Sequence, residues 1–474
     1  MLHALIKKEL REIAREGRLR AALLVALGLL VVALAFGVEQ ARALNAEHEA
    51  AQHGAEEHWR SQEEKNPHVA AHYGMHVFKP RGPLRFVDPG VEPFVGSSLK
   101  LEAHRRNEVS GAQALDGTAL SRFGGLSVAA VLQLLVPVLI VALGFAAWTA
   151  ERERGTLRQL LSLGVLPRSL LAGKALALLV AMATVLLPGA LAVVVAAAST
   201  SGDDQAGDPA RLVGLLVSYG AYALTFVFLT LAVSARAQTS RGALVALLGV
   251  WVLTTQVLPR VAADAAALVA PAPPYAATRG AVEDSLAKGL PGGPPREDRV
   301  GEIADKMLEE QGFAGAETLM DASLLAGIEL AAEAQFENEV IDHHFAVHAR
   351  AVAHQERVAE TFGALSPLIA TRTLSRGFAG TDLAHHQHFT DRAEAHRRAL
   401  VDSLNLAFAS RGGGQGWSYR AGREVWESSP PFEYEVPSAA WVARHHRLSI
   451  AALTAWLLAA AALAYRGASR LKVV

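Results

Sequence analysis

Residues 126–148 read LSVAAVLQLLVPVLIVALGFAAW, and residues 149–164, which follow directly, read TAERERGTLRQLLSLG. The first stretch carries no charged side chain. In a helix it is long enough to cross the hydrocarbon core of a bilayer, which is roughly 30 Å thick. The second stretch alternates Glu and Arg, contains two glycines and is too short for a domain. Together they predict a membrane-spanning helix that ends in a short charged connection.

Five more apolar runs of comparable length occur in the chain, separated by charged blocks. Hydrophobic residues make up 51% of the sequence, a share that a soluble protein can also have, so their bunching indicates a membrane protein. The first run is longer than a usual signal-peptide core and lacks a cleavage site after it, so we expect it to remain. We predict an all-α polytopic membrane protein with six transmembrane helices. They are 20–38, 126–148, 170–198, 211–234, 242–270 and 448–465.

Positive charges beside the predicted helices indicate their orientation. Lys and Arg cluster in residues 1–19, 149–169, 235–241 and 466–474, which all fall on one side of a six-helix topology. The loop 199–210 on the other side contains three aspartates and neither Lys nor Arg. Because loops rich in Lys and Arg stay in the cytoplasm, we predict a multi-pass protein of the bacterial inner membrane with both termini cytoplasmic.

Two long polar segments, 39–125 and 271–446, are predicted to lie outside the cytoplasm. The second opens with a linker rich in Pro and Gly and then shows apolar residues at helical spacing in 299–360 and 381–409. Strand signals are sparse. We therefore expect a mainly α-helical extracytoplasmic domain built from both long loops, with a structural rather than a catalytic role.

The N-terminal arm, residues 1–19, has the pattern of a basic amphipathic helix. Leu2, Leu5, Ile6 and Leu10 fall at helical spacing, with Lys and Arg between them. Such a helix is suited to lie in the lipid interface of the inner leaflet. The alternative is that its positive charges act only as a determinant of topology.

The connection 149–169 is predicted to form a short cytoplasmic helix. Gly155 interrupts the preceding helix, and Thr156 is expected to cap a new one. Leu157, Leu160 and Leu161 then fall on one face, which suits docking to a soluble partner. The alternative is an ordinary charged loop.

A pair of oppositely charged residues lies near the end of the fifth predicted helix. Arg260 and Asp264 are four residues apart, directly after Pro259. Charges inside a membrane span are functional candidates, but the proline can end the span before them. The spacing then predicts an ion pair at the membrane interface.

The order of these features resembles permeases of the ABC-2 type: a basic arm containing KKEL, a span, a long exported loop, a span and then ERERGTLRQLLS. In that family the last stretch is the coupling helix, which contacts the ATPase subunit. Pro167 and Lys174 extend the likeness into the next span. The residues that match the E-x-E-x-G-T-L-x-x-L-L-S pattern, and to which the resemblance assigns ATPase coupling, are Glu151, Glu153, Gly155, Thr156, Leu157, Leu160, Leu161 and Ser162.

Over nearly its full length the chain also resembles the DUF3526-like subgroup of these permeases, which has two long exported insertions. The stretch GTDLAHHQHF at 380–389, followed by Ala393, Glu394 and Asn405, is similar to a recurring pattern of that subgroup. The exported part is larger than in the better-known ABC-2 exporters. The resemblance implies a permease subunit, with export favoured over import.

The chain contains no G-x-x-x-x-G-K-[ST] motif, which in many ATPases cradles the phosphates of ATP. We therefore expect no cofactor and no ATPase activity in this chain, with ATP and Mg bound by a separate ABC ATPase subunit. Such ATPases act in pairs, which implies a second permease subunit, either in a homodimer or as a paralogue. The net charge of −1 gives no reason to expect nucleic acid as a partner.

Histidine is concentrated in the two polar segments, which hold all 18 histidines except His3. There are no cysteines, so any transition-metal site would depend on imidazole and carboxylate ligands. The alternative is that the histidines serve ordinary hydrogen bonding at the surface. The candidate metal ligands are His343, His344, His348, His385, His386 and His388.

Three functions are compatible with the sequence. The leading one is the transmembrane permease subunit of an ABC-2 transporter, an exporter driven by a separate ATPase. A second is mechanotransmission, in which ATP cycles in the cytoplasm move the exported helices to act on an extracytoplasmic partner. The third is transport of a metal such as copper, zinc or iron through the exported histidines.

Overall fold

The structure is a computed structural model in which helices dominate. Within the described residues, six helices are long and apolar enough to cross a membrane. The predicted all-α polytopic class is therefore confirmed. Most of the acidic loop at 199–210 and the last three tail residues lie outside the described ranges. Those ranges are residues 2–15, 17–116, 125–200, 208–313 and 322–471.

The six candidate membrane helices are here called spans one to six. Span three continues as a helix through Pro188. In chain order the spans are Arg20–Arg60, Val128–Glu153, Pro167–Ser199, Pro209–Arg236, Ser240–Val269 and Arg447–Ser469.

Span one belongs to a helix that runs without interruption from Gly17 to Arg60. The sequence indicated an end at residue 38, where the apolar run stops. Residues 39–60 are rich in Ala and Glu and contain no proline, so the backbone has no reason to leave the helix there. The 44-residue helix is about 66 Å long at 1.5 Å per residue, and it therefore extends beyond a bilayer core.

Span two contains one turn of π-helix, Val131–Leu135, just before Pro137. A proline has no N–H and cannot donate to a carbonyl one turn earlier. The hydroxyl of Tyr222 in span four donates to the carbonyl of Gln133, at 2.9 Å, and so satisfies an acceptor in this irregular turn. The irregularity thus fixes the contact between spans two and four.

Span five has the same device, a π-turn at Leu253–Val257 before Pro259. The helix then continues to Val269, so the proline does not end it. The prediction of an ion pair between Arg260 and Asp264, which are both described residues, was wrong. Arg260 instead donates to the carbonyl of Gln256 at 3.3 Å. Its side chain is exposed.

A buried helix that the sequence did not reveal, Pro367–Ala379, packs against spans four and six. Most of its residues are buried, and it is here called the interior helix. Gly214 of span four lies against the ring of Phe378, and a Cβ at that position would meet the ring at 2.4 Å. The absence of a side chain at Gly214 therefore allows the two helices to approach closely.

Parts of the two polar segments share a hydrophobic core, and the described residues of both segments, apart from the interior helix, are here called the polar domain. Trp59 and Val77 of the first segment pack in one cluster with Phe389, Val401 and Trp426 of the second. Its helices are Pro67–Tyr73, Glu92–Val95, Gln113–Asp116, Tyr275–Lys288, Arg296–Glu310, Ala322–Thr361, Leu383–Arg411, Arg423–Ser428 and Ala439–His445.

The polar domain also contains a small antiparallel sheet in the order β1–β2–β3, which the sequence analysis did not predict. The strands are Met75–Phe78, Ser98–Glu102 and Arg105–Arg106, and Met75 of β1 is opposite Leu101 of β2. Buried and more exposed residues alternate along β1 and β2, as expected for a sheet with one face in the core. Their short length hid this pattern in the sequence.

Candidate functional site

The charged connection forms two short helices, Thr149–Glu153 and Thr156–Ser162. Gly155 joins them with φ 72° and occupies the N-cap position of the second helix. The prediction that Thr156 caps this helix was wrong, because its hydroxyl donates to the carbonyl of Glu151 at 3.3 Å. Ser162 ends the second helix and is exposed.

The backbone at Gly155 gives a first prediction. Its φ lies in the left-handed region, which costs a residue with a Cβ roughly 1–2 kcal/mol, while a Cβ built there has no neighbour within 4 Å. We expect Gly155→Ala to lower the free energy of unfolding by about 1 kcal/mol. Gly155→Asn should cost less, since Asn tolerates this conformation. Unfolding of the detergent-solubilised protein measures the stability of both variants. If Gly155→Ala is as stable as the wild type, the backbone at this position is not left-handed.

Glu151 lies at the centre of a largely buried group of charges. The ammonium of Lys174 in span three is 3.0 Å from Glu151 Oε2 and 2.8 Å from Glu9 Oε1. Lys8 forms a further ion pair with Glu151. Lys174 is 2% exposed and lies 5.2 Å from the centroid of the Trp148 ring. Lys8, Glu9, Glu151 and Lys174 are here called the ion cluster.

The ion cluster connects the N-terminal arm to the rest of the chain. The arm is a helix, Leu2–Arg15, and its buried Leu5 packs against Gly173 of span three. Burial disfavours the charged form of Lys8, but the hydrogen bond to Glu151 and the charge of Glu9 outweigh it and raise the pKa of Lys8. Lys8 therefore stays charged at neutral pH and keeps the arm paired with Glu151.

The next two charges of the connection bind the turn between spans four and five. The guanidinium of Arg152 donates to the carbonyls of Ala235, at 2.9 Å, and Ala237. The carboxylate of Glu153 accepts from the backbone N–H of Ser240 at 2.7 Å and from its hydroxyl at 2.9 Å. An acid at this place satisfies a free N–H at the start of span five and faces the positive end of its dipole.

The leucine face predicted for docking packs into the chain itself. Leu157 is buried, and Leu160 and Leu161 are half-buried against the same core. The outward surface instead presents Arg158 and Leu163, the latter 80% exposed. Helical periodicity identified the apolar face, but only the fold shows which side of the helix remains free.

The six histidines predicted as metal ligands take part in separate contacts. Within the second polar segment, the Nε2 of His344 is 2.9 Å from Ser285 Oγ, and the Nδ1 of His348 is 3.1 Å from Thr278 Oγ1. Both contacts hold helix Tyr275–Lys288 against helix Ala322–Thr361. His343 is exposed beside His344.

The other three lie on helix Leu383–Arg411. His385 hydrogen-bonds Asp382, and His388 contacts the hydroxyl of Tyr434 at 3.1 Å. Burial lowers the pKa of His386 to about 4, so this imidazole is neutral. The group of described residues with the spacing of a metal site is a different one, formed by His68, His72 and His104. Metal binding by the six stays a prediction.

Arg211 of span four forms a second polar centre, at the other end of the spans from the ion cluster. It is 2% exposed, and its guanidinium donates to the carbonyls of Gly377 (3.2 Å), Phe378 (3.1 Å) and Pro437. It also lies 2.9 Å from Nε2 of His385. The arginine thus joins span four to the end of the interior helix and to the segment before span six.

Asp382 completes this centre. Its carboxylate accepts from His385 and, at 2.6 Å, from His446. Burial opposes its charged form, but the hydrogen bonds from the two histidines outweigh that effect and lower the pKa of Asp382. It therefore carries a negative charge close to Arg211.

Sequence reasoning did not single out Arg211 as functional, although a signal was present. Arg211 is the first residue of the predicted fourth helix, next to a loop without Lys or Arg, where positive charge is unusual. Lys174 also falls inside a predicted span, and an intramembrane lysine calls for an acidic partner. Neither signal tells which residue that partner is.

A cavity of about 330 Å³ lies between spans one, two, three and four. Its lining is apolar except for the two tyrosines Tyr219 and Tyr222, and it includes Leu30, Leu132 and Val193. Such a lining favours an apolar molecule or an acyl chain over an ion.

Comparison with known proteins gives a match to one family model and no match among curated proteins. A family model described as "ABC-2 family transporter protein" matches residues 3–470, nearly the whole chain. No curated protein matches the chain. The match covers all six spans, the ion cluster and the connection between spans two and three.

Proposed function

The chain belongs to the ABC-2 family of transporter proteins, and on this premise we propose that it is the permease subunit of an exporter driven by a separate ATPase. The observation that carries the proposal is the bracing of connection 149–164. Glu151 ties it to the arm and span three, Arg152 to the end of span four, and Glu153 to the start of span five. A force applied to this connection therefore reaches four spans through direct contacts.

The surface that receives this force is proposed to be the outward side of the connection. Arg158 and Leu163 are exposed there, whereas the leucine face is occupied by the chain's own core. Arginine is enriched at protein interfaces, and an exposed leucine offers apolar surface that a partner can bury. We assign docking of the ATPase to this side and transmission to Glu151, Arg152 and Glu153.

The proposed orientation places the connection, the arm and the turn between spans four and five in the cytoplasm. All three are rich in Lys and Arg, and they adjoin one another through the ion cluster and Arg152. The polar domain then lies outside the inner membrane, and the exposed side of the arm faces lipid. ATP and Mg are bound by the partner, and a second permease subunit, identical or paralogous, completes the transporter.

The apolar cavity supports a lipid-like substrate. It lies among four of the spans and presents few polar groups, so a molecule that enters it gains by leaving water. Extraction of such a molecule from the membrane fits this geometry better than passage of an ion. Membership of the DUF3526-like subgroup stays a prediction that rests on the 380–389 pattern.

Mechanotransmission is a second candidate, favoured by the continuous helix Gly17–Arg60. It joins the membrane to the polar domain without a hinge, and Trp59 near its end is buried in the core of that domain. A tilt of span one would therefore move the polar domain directly. Reconstituted vesicles separate the two functions, because only an exporter moves a labelled lipid when ATP is supplied.

The docking side provides the test of the proposal. We expect Leu163→Asp combined with Arg158→Glu to reduce ATPase copurification from membranes at least tenfold, because loss of an interface anchor costs about 1.4 kcal/mol or more. Leu406→Asp, at a 67% exposed leucine of the polar domain, is the matched control and should leave copurification unchanged. Undiminished copurification and ATP hydrolysis with the double variant would contradict the proposed docking side.

A further inference from the structure

Three imidazoles of the first polar segment converge on one point. His68 and His72 are one turn apart on helix Pro67–Tyr73, and His104 lies in the turn between β2 and β3. The Nε2 of His68 is 3.1 Å from Nε2 of His72 and 3.4 Å from Nε2 of His104. One ring nitrogen from each residue lies within 4.8 Å of the other two.

Partners from the second polar segment determine which nitrogens carry protons. The Nδ1 of His104 is 2.7 Å from a carboxylate oxygen of Glu337, which accepts but does not donate. The Nδ1 of His68 is 3.0 Å from Oδ1 of Asn405, also an acceptor. Both histidines therefore hold a proton on Nδ1, and in its neutral form each presents a bare Nε2 to the centre.

The convergence of bare nitrogens calls for a cation. The Nε2 atoms of His68 and His104 are 3.4 Å apart, and two lone pairs at that distance repel each other. In a tetrahedral zinc site with Zn–N bonds of about 2.05 Å, neighbouring ligand nitrogens are about 3.3 Å apart. The two distances from His68 Nε2 to the other imidazoles, 3.1 and 3.4 Å, are close to this spacing.

The surroundings have the other features of a metal centre. A histidine that binds a metal usually donates its second N–H to a carboxylate or carbonyl oxygen, as His104 does to Glu337 and His68 to Asn405. His68 is buried while His72 is exposed, so the centre opens to solvent on one side.

We propose that His68, His72 and His104 bind a zinc ion, with a water molecule at the fourth position on the exposed side. Neutral imidazole suits zinc, and a site without cysteine or calcium-type oxygen ligands disfavours softer and harder ions. Glu337 and Asn405 orient the ligands. Because they come from the second polar segment, the ion links both segments of the polar domain, and this site does not depend on the proposed transport function.

The experiment uses the purified full-length protein in detergent, stripped with a chelator and titrated with Zn²⁺ against a coloured competitor. We expect one tightly bound equivalent in the wild type. His72→Ala and His104→Ala should each weaken binding at least tenfold, and Glu337→Gln by about 10- to 100-fold. His53→Ala, an exposed histidine of the same segment, is the matched control and should bind as the wild type does.

A structural readout accompanies the titration. Zn²⁺ should raise the unfolding temperature of the wild type and of His53→Ala but not that of His72→Ala, since binding to the folded state alone stabilises it. His72 is exposed, so its loss should leave the protein folded without metal. The proposal is overturned if the wild type binds no stoichiometric zinc at micromolar concentrations. It is equally overturned if His72→Ala binds zinc as tightly as His53→Ala.

A double variant tests whether zinc binds at this site or at the histidines that were predicted from the sequence as metal ligands. His343→Ala with His344→Ala should leave the single zinc equivalent intact, since both lie on another helix and His344 contacts Ser285. If this double variant loses the zinc while His72→Ala and His104→Ala retain it, the ion is bound elsewhere and the assignment is wrong.

Discussion

Replacing Lys174 by methionine should lower the free energy of unfolding by about 3 kcal/mol, because removing one partner of a buried ion pair leaves the other charge uncompensated. The ammonium of Lys174 is within 3.0 Å of both Glu151 and Glu9, and the side chain is almost fully buried. Lys8 would then be the one cation of the ion cluster left to pair with Glu9 and Glu151. Unfolding of the detergent-solubilised protein, followed by circular dichroism, measures the loss.

Two further variants show whether the loss arises from charge. Lys7→Met removes an exposed lysine of the same arm and should leave the stability unchanged within error. Lys174→Met combined with Glu151→Leu should regain most of the loss, since Lys8 and Glu9 remain paired at 3.1 Å. If the double variant is as unstable as Lys174→Met alone, packing rather than uncompensated charge explains the effect.

The double variant also tests transmission. It removes the salt bridges from the connection to the arm and to span three, while Arg152 and Glu153 keep their contacts with spans four and five. An ATPase should still copurify with it, but substrate-stimulated ATP hydrolysis should fall. Wild-type stimulation in a stable double variant would show that the ion cluster does not carry the proposed force.

Arg211→Met is expected to cost about 3–5 kcal/mol of unfolding free energy, because it removes a buried charge together with the donors for three carbonyls. The variant leaves the acceptors of Gly377, Phe378 and Pro437 without this partner, and Asp382 without its nearby positive charge. The interior helix and the start of span six should loosen first, which hydrogen exchange of the two segments would show.

A lysine at the same position discriminates between charge and geometry. Arg211→Lys restores the charge but not the planar fork that reaches several acceptors, so it should recover only part of the stability. Arg260→Met is the control, since that arginine of span five is exposed and donates to a single carbonyl of its own helix. Equal stability of Arg211→Met and Arg260→Met would show that Arg211 does not hold these segments together.

The six spans were predicted from the sequence alone, and so were the approximate ends of all of them except span one. A helix is the one local structure that satisfies every backbone group of a single apolar segment within the bilayer, so a run such as 126–148 leaves little choice. The pattern of 149–164 was equally local, and it predicted a short helix with leucines on one face. At residue 38 the apolar run ends, but no helix-breaking residue follows. The prediction therefore gave the end of the apolar run, whereas the helix itself continues to Arg60.

The tertiary structure alone decided which groups meet. Lys8 and Glu151 are separated by 143 positions and His104 and Glu337 by 233, and no local periodicity relates such residues. The leucines of 157–161 could have faced a partner or the chain's own core, since burial of an apolar face is favourable against either surface. His68, His72 and His104 acquire a common centre because a helix, a β-turn and two residues of the second polar segment pack together, and that packing depends on the whole polar domain.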